Sequence, residues 1–277
     1  MKKHIIRIGI LALLLTSCHT KTKKEETSQF TSSDIAVAEE ELQYDSFVIQ
    51  LTDTLISGQP APNYTIALNL PFCKDGSPIA EAINQKLCEE ITGESTQQLD
   101  SSFTAYAQKL SKTVEQELRE AYDPDSEDLN MTLQYHILIG GEFSTHPLKG
   151  HVAYSVFTDI YTGGPHGNRE IKYMNFNKST GKYLNKEDVF DTAKEQLLID
   201  LILKKIMSDR GCENIEQLHK ISSINVVGEL YIGNNFLLED SGVTFVYNTY
   251  EIASYADGTI FVYLPYEDLK EILKIQI

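Results

Sequence analysis

Strand-like and helix-like segments follow one another in blocks along this chain, and their order restricts the fold more than any other feature. Two alternating segments, at roughly 46–56 and 63–70, precede two helical periods at about 77–93 and 96–122. Three more strand-like runs then follow: Met131–Ile139, Val152–Tyr161 and Glu170–Asn177. A doubly wound parallel sheet would need strict alternation of strands and helices. The blocks instead predict an α+β fold with largely antiparallel sheets packed by helices.

The C-terminal part repeats this mixture. A strongly apolar helical period covers about 192–209, and two strands, Val243–Tyr250 and Ile260–Leu264, are separated by turn residues. A short final helix is predicted at Glu267–Leu273. We therefore expect two closely associated α+β subdomains.

The N-terminus has the layout of an export signal. Three basic residues in the first seven positions precede an apolar run from Ile8 to Leu15, which is too short to span a bilayer. The segment Leu15-Thr16-Ser17-Cys18 resembles a bacterial lipobox. The resemblance implies that residues 1–17 are a lipoprotein signal peptide and that Cys18 is lipidated. A plain secretory signal with an incidental cysteine is the less favoured alternative.

Residues 18–45 combine the lipidated cysteine with a polar segment rich in Thr, Ser, Lys and Glu, which predicts a flexible linker. The predicted location is the bacterial cell envelope, with the chain held on a membrane by an N-terminal lipid.

The charge balance excludes one class of partner. The chain has 40 acidic and 24 basic residues and a formal net charge of −16, so it lacks the basic surplus needed to bind nucleic acid. Removal of three basic residues with the signal peptide takes the charge from −16 to −19. In an exported, tethered protein this acid excess favours cationic partners, although it also serves solubility.

Three cysteines follow Cys18. Cys73 and Cys88 are close enough in sequence to form a disulfide between a strand end and a helix, which an oxidising compartment would permit. The alternative, that Cys73, Cys88 and Cys212 are small buried residues with free thiols, is equally consistent with the sequence.

A search for catalytic patterns finds none of the nucleophile-elbow, zinc-protease, P-loop or dinucleotide-binding signatures. We therefore predict no catalytic residue, no metal site and no cofactor. His136, His151 and His166 fall on neighbouring strand segments and leave a metal site open, but the sequence specifies no supporting ligand.

The densest local signal is a glycine-rich loop. Its residues are Tyr161, Thr162, Gly163, Gly164, Pro165, His166 and Gly167. Adjacent glycines permit a left-handed backbone or a close approach. The loop is therefore a candidate ligand-contact site. The alternative is a tight connection in which His166 bonds to its own loop. The many strand tyrosines likewise fit either an exposed binding ladder or half-buried packing.

The same loop carries a family resemblance. Tyr161–Gly167, the segment Phe176–Phe190 and Tyr250–Gly258 are similar to successive motifs of a bacterial envelope domain of unknown function. The upstream Leu70-Pro71-Phe72 and Ile83-Asn84 resemble the domain that often precedes it. This pairing occurs in the extracellular part of RsiV-type anti-sigma factors, which bind lysozyme, and in the N-terminal region of PdaC-type peptidoglycan deacetylases.

The resemblance implies an N-terminal PdaC-type domain at 46–167 and a C-terminal RsiV-type domain at 168–277. It implies binding rather than catalysis, because the deacetylase motifs TFDDG and HxxxH are absent. Pro165 and Ser254 depart from the family pattern, which usually has alanine and proline there. Sigma-factor signalling is not expected, since neither a sigma-binding segment nor a spanning helix is evident.

The leading hypothesis is a non-enzymatic, lipid-anchored envelope binding protein whose ligand is a lysozyme-like cationic protein or a peptidoglycan-related glycan. Two alternatives stay open at this point. One is an envelope hydrolase in which His166 acts with a nearby acid such as Asp159 or Glu170. The other is a structural or assembly lipoprotein, which a large exposed apolar patch would support.

Overall fold

The computed structural model describes residues 42–55, 62–224 and 230–277. The predicted signal peptide, the lipidation at Cys18 and most of the predicted linker lie outside the described residues. Residues Gln43–Ile277 form one compact unit. No described helix is both long enough and apolar enough to cross a bilayer.

A six-stranded sheet forms the larger layer. Its strands lie side by side in chain order: β1 (Tyr44–Thr54), β2 (Asn63–Cys73), β3 (Gln134–Phe143), β4 (His151–Tyr161), β5 (Asn168–Asn177) and β6 (Tyr183–Leu184). Neighbouring strands are antiparallel except for β2 and β3, which are parallel. The parallel pair needs a long crossover, and a helical segment between the two strands supplies it.

The crossover contains α1 (Pro78–Thr92), α2 (Leu99–Ala121) and the short α3 (Glu127–Thr132). Local signals define α1, because the Ser77 side chain accepts a hydrogen bond from the Ala80 amide and Pro78 occupies the first turn. Gly93 ends the helix in a left-handed conformation. Apolar residues of α1 and α2 cover one face of the sheet: Ile83, Leu87, Phe103, Val114 and Leu118 are all buried.

A smaller antiparallel sheet completes the fold, with β7 (Phe236–Leu238), β8 (Gly242–Tyr247) and β9 (Ile260–Pro265). Its helices are α4 (Lys186–Val189), α5 (Glu195–Asp209), α6 (Ile215–Ile221) and α7 (Tyr266–Leu269). The core of this part is apolar, with Leu198, Ile202, Phe236, Val262 and Leu269 essentially inaccessible. The predicted α+β class, with largely antiparallel sheets packed by helices, is confirmed.

Asparagine side chains join the two sheets. The Asn248 Oδ1 accepts a hydrogen bond from the Ile171 amide at 2.9 Å, and its Nδ2 donates to the Ile171 carbonyl at 3.0 Å. Asn235 accepts from the Tyr173 amide at 2.9 Å in the same way. In return, Asn175 of β5 donates to the Phe236 carbonyl at 2.7 Å and accepts from the Leu238 amide at 2.9 Å. Side-chain amides thus replace a neighbouring strand along β5.

The predicted boundary between residues 167 and 168 falls in the loop between β4 and β5, which pair along their length. Strand β5, assigned to the second predicted domain, therefore completes the sheet of the first. The division into domains 46–167 and 168–277, which the family resemblance implies, stays a prediction.

Candidate functional site

The glycine-rich loop links β4 to β5 with a constrained backbone. Gly163 and Gly164 have φ angles of +87° and +86°, a backbone conformation that residues with a Cβ rarely adopt. The Tyr161 hydroxyl donates to the Gly164 carbonyl at 3.1 Å. A Cβ on Gly163 would lie 3.3 Å from the Tyr135 ring, so the loop sits close against the sheet. These features fix the position of His166.

His166 is exposed at the end of this loop. Its Nδ1 lies 3.2 Å from the Gly167 carbonyl, and since a carbonyl only accepts, Nδ1 carries the proton and donates. The imidazole stacks on the Tyr255 ring, with centroids 3.6 Å apart and planes 15° apart. The loop therefore contacts a segment almost ninety residues later in the chain.

That second segment, Tyr250–Gly258, is the other densely patterned stretch of the sequence. Tyr250 has a φ of +71°, the one positive φ among the described non-glycine residues, and its side chain is 62% exposed. Its ring lies 6.1 Å from that of Tyr255, which is 41% exposed. His166, Tyr250 and Tyr255 form an exposed group, which we call the aromatic junction. Strained backbone beneath an exposed aromatic residue is a feature of binding surfaces.

Asp257 anchors the segment from below. Its side chain is 7% exposed and accepts hydrogen bonds from the Ser222 hydroxyl at 2.6 Å, the Ser223 hydroxyl at 2.6 Å and the Arg210 guanidinium at 2.9 Å. Burial alone would raise the pKa of this carboxyl, but the hydrogen bonds from Ser222, Ser223 and Arg210 outweigh it and lower the pKa to about 2. The anchored turn holds Tyr255 under His166.

A cleft of about 590 Å³ lies next to the segment that begins at Asn248. Its floor is apolar and comes from β3 and β4: Ile137, Ile139, Val156 and Ile160. Glu170 and Glu251 bring carboxylates to its lining, and Glu251 directly follows Tyr250 of the aromatic junction. The size is within the range of ligand-binding clefts.

The other wall of the cleft includes the C-terminal part of α1. There Glu90 forms an ion pair with Lys86 at 2.6 Å and a second one with Lys172 of β5. Burial would raise the pKa of Glu90, but hydrogen bonds from Lys172 and Lys86 lower it. The ionised carboxylate of Glu90 thus lies beside the apolar floor, paired with Lys86 and Lys172.

The acids proposed as partners of His166 are engaged elsewhere. Asp159 accepts a hydrogen bond from Arg169 at 2.9 Å and contacts His136 at 3.3 Å. Glu170 accepts from the Asn168 side chain at 2.8 Å. Within the described ranges, no carboxylate forms a hydrogen bond or ion pair with His166. The pairing required by the hydrolase alternative is therefore not formed.

The remaining histidines do not converge. His136 pairs with Asp159, and the His151 Nδ1 donates to the Lys149 carbonyl at 3.0 Å. Among the residues that the structure describes, no group of three or more His, Cys, Asp or Glu side chains is arranged to hold a metal ion.

The cysteines follow the free-thiol alternative. Cys73, Cys88 and Cys212 are all free, and the candidate disulfide between Cys73 and Cys88 is not formed. The Cys88 Sγ lies 3.3 Å from the Ser102 hydroxyl, whereas Cys73 is buried at the end of β2. Burial, with a smaller contribution from Asp75, raises the pKa of Cys73 to about 12.

An exposed tyrosine ladder along the strands is not present in the described sheets. Tyr135, Tyr154 and Tyr247 are buried, so they serve the core. The sequence pattern identifies the loop 161–167, but it does not indicate Tyr255 as the partner of His166 or Tyr250 as the neighbour of Tyr255. The signal was available in the dense pattern of 250–258, but no local rule indicates which distant loop a turn will contact.

The fold and the site define an α+β protein with two sheets, a compact helical layer and an exposed junction of two motif segments. Residues 186–267 match the family model described as "Protein of unknown function (DUF3298)". This match includes Tyr250–Gly258 but not the loop 161–167. No curated protein matches the sequence.

Solved structures support the fold. A member of the DUF3298 family from Bacteroides fragilis is similar with a TM-score of 0.73 and 24% identity, over 84% of this chain and 94% of that one. A DUF3298 family protein from Pseudomonas aeruginosa PAO1 has a TM-score of 0.57 and 14% identity, over 85% of this chain and 96% of that one. At these identities the likeness describes the fold alone.

Proposed function

We propose that this chain is a non-enzymatic, lipid-anchored binding protein of the bacterial cell envelope and that the aromatic junction is its ligand-contact surface. The observation that carries the proposal is the stacking of His166 on Tyr255, which brings the two motif segments together at an exposed site. Exposed aromatic side chains on an anchored backbone give a large contact area at a small entropic cost.

The favoured ligand is a cationic protein of the lysozyme type. The net charge of −16 and the carboxylates of Glu170 and Glu251 next to the junction are complementary to such a partner. The resemblance of the motifs to the extracellular part of RsiV-type anti-sigma factors supports the same choice. Peptidoglycan-related glycan is the second candidate, favoured by the exposed ring of Tyr250 beside a cleft.

Two assays, a titration and a sedimentation experiment, separate these ligands. The chain from residue 19 onward keeps every described residue, and calorimetric titration with lysozyme at low and physiological salt should give a binding heat in both, with weaker affinity at the higher salt. Sedimentation with purified peptidoglycan tests the glycan. If lysozyme gives no heat in either buffer and no chain sediments with peptidoglycan, the proposal is refuted.

The proposed anchor has its own test. Metabolic labelling with a fatty acid should mark the full chain, and Cys18→Ser should abolish the label and release the protein from the membrane fraction. Cys212→Ser is the matched control, because it removes a half-buried thiol of the folded part. Label that persists in Cys18→Ser would contradict lipidation at that cysteine.

A further inference from the structure

The two edges of the six-stranded sheet differ in how their outward backbone groups are hydrogen-bonded. Near β5 the exposed backbone groups are satisfied by the short strand β6 and by the side chains of Asn235 and Asn248. At the opposite end, β1 is the last strand of the sheet. Unpaired strand edges promote association with other chains, and proteins usually block them.

The hydrogen bonds at both ends of β1 show which of its backbone groups face outward. The Lys74 amide donates to the Gln43 carbonyl, and the Leu55 amide donates to the Pro62 carbonyl. In an antiparallel ladder the inward-bonding residues alternate, so odd-numbered residues of β1 bond to β2. The even-numbered residues Ser46 to Thr54 therefore direct their amides and carbonyls away from the sheet.

Two of these outward amides are satisfied locally. The Ser46 amide donates to the Asp45 carboxylate at 2.9 Å, and the Thr54 amide donates to the Asp53 carboxylate at 2.8 Å. Between them lie Val48, Gln50 and Thr52, whose amides have no acceptor within the described residues. Val48 also exposes 65% of its side chain.

Three common protective devices are missing from this strand. β1 has 11 residues in continuous register with β2, without a bulge, a proline or a lysine. Its two charged residues, Asp45 and Asp53, are both acidic and exposed. They flank the amides of Val48, Gln50 and Thr52.

We propose that the outer edge of β1, residues 46–54, binds an extended basic peptide segment by strand addition. The peptide backbone satisfies the amides and carbonyls of Val48, Gln50 and Thr52, and its Lys or Arg side chains meet Asp45 and Asp53. A second copy of this chain fits less well, because it would bring two further carboxylates to the same ladder. This surface belongs to the N-terminal strand and does not depend on the function of the aromatic junction.

Amide hydrogen exchange of the chain from residue 19 onward tests the proposal. The probe is a ten-residue peptide that alternates lysine with valine, and the control peptide alternates glutamate with valine. The basic peptide should slow exchange of fragments containing Val48, Gln50 and Thr52 at least tenfold, and the acidic peptide should not. Three results would overturn the proposal: no slowing, equal slowing by both peptides, or strong protection of these amides before any peptide is added.

Gln50→Pro removes the central outward amide without touching the β1–β2 ladder, and Gln50→Thr keeps that amide. Protection by the basic peptide should be lost in the first variant and retained in the second. If Gln50→Pro does not fold, the double variant Asp45→Lys, Asp53→Lys replaces it in the test, because it leaves the backbone amides unchanged. Its affinity for the basic peptide should fall at least tenfold, and unchanged affinity would refute the charge argument. Protection that rises with protein concentration alone would identify a second copy as the occupant and overturn the proposal.

Discussion

Replacing Asp257 by asparagine tests whether the turn beneath Tyr255 is held by a charged anchor. The carboxylate is almost fully buried and accepts hydrogen bonds from two serines and Arg210. These bonds lower its pKa from 3.8 to about 2. Since one pKa unit corresponds to ~1.4 kcal/mol, ionisation of Asp257 contributes about 2 kcal/mol to the free energy of unfolding at neutral pH.

The sign of the pH dependence follows from the lowered pKa. The stabilisation is fully present above the unfolded-state pKa of 3.8 and is lost as the pH falls through about 2. Asp257→Asn should therefore unfold with a free energy about 2 kcal/mol smaller than wild type at pH 7. The difference should shrink between pH 4 and pH 2.

Urea unfolding followed by far-UV circular dichroism measures this difference at each pH. Other carboxylates titrate in the same range, so the quantity to compare is the wild-type value minus the variant value. Asp268→Asn is the matched control, because Asp268 is exposed and forms no hydrogen bond within the described residues. It should change stability by less than ~0.5 kcal/mol. The charged anchor would be refuted if Asp257→Asn had the wild-type free energy of unfolding at pH 7. It would also be refuted if the loss of free energy of unfolding were the same at pH 7 and pH 2.

Three further predictions concern the rest of the fold. Gly141→Ala should destabilise the protein by about 2 kcal/mol in the same urea assay, because a Cβ there would lie 1.8 Å from the buried Tyr154 hydroxyl. Gly140→Ala is the control and should be nearly neutral, since a Cβ there would have no atom within 4 Å. Equal effects of the two variants would contradict this packing. Asn248→Ala should lower the free energy of unfolding by about 2 kcal/mol and speed hydrogen exchange of the Ile171 amide. An unchanged exchange rate would contradict the hydrogen bonds by which Asn248 joins the two sheets. At pH 8 iodoacetamide should modify the half-buried Cys212 before Cys73, because a pKa of about 12 keeps the Cys73 thiol protonated. Mass spectrometry that shows Cys73 modified first would contradict the burial of Cys73.

The elements of this fold were predictable where local chemistry defines them. Ser77, Pro78 and Gly93 mark both ends of α1, and the apolar period of 192–209 corresponds to α5 with the short turn before it. Alternation predicted β4 and β5 as antiparallel neighbours. These signals lie within a few residues of the structure they specify.

Long-range pairing was not predictable in the same way. The parallel register of β2 with β3 depends on how α1 and α2 pack, and nothing in either strand specifies it. Asn235 and Asn248 resemble ordinary loop residues in the sequence, yet they cover the edge of β5. The loop 161–167 was identified, but its partner Tyr255 was not, because stacking between segments so far apart requires the whole fold.

If the aromatic junction contacts the ligand, removal of one of its rings should weaken the complex. We would compare the dissociation constants of the lysozyme complex for wild type, Tyr255→Ala and Phe261→Ala. Phe261 is 47% exposed on β9, similar to the 41% of Tyr255, and has no ring contact with the junction among the described residues. We expect at least a tenfold weaker complex for Tyr255→Ala and wild-type affinity for Phe261→Ala. Wild-type affinity for a folded Tyr255→Ala would contradict this expectation.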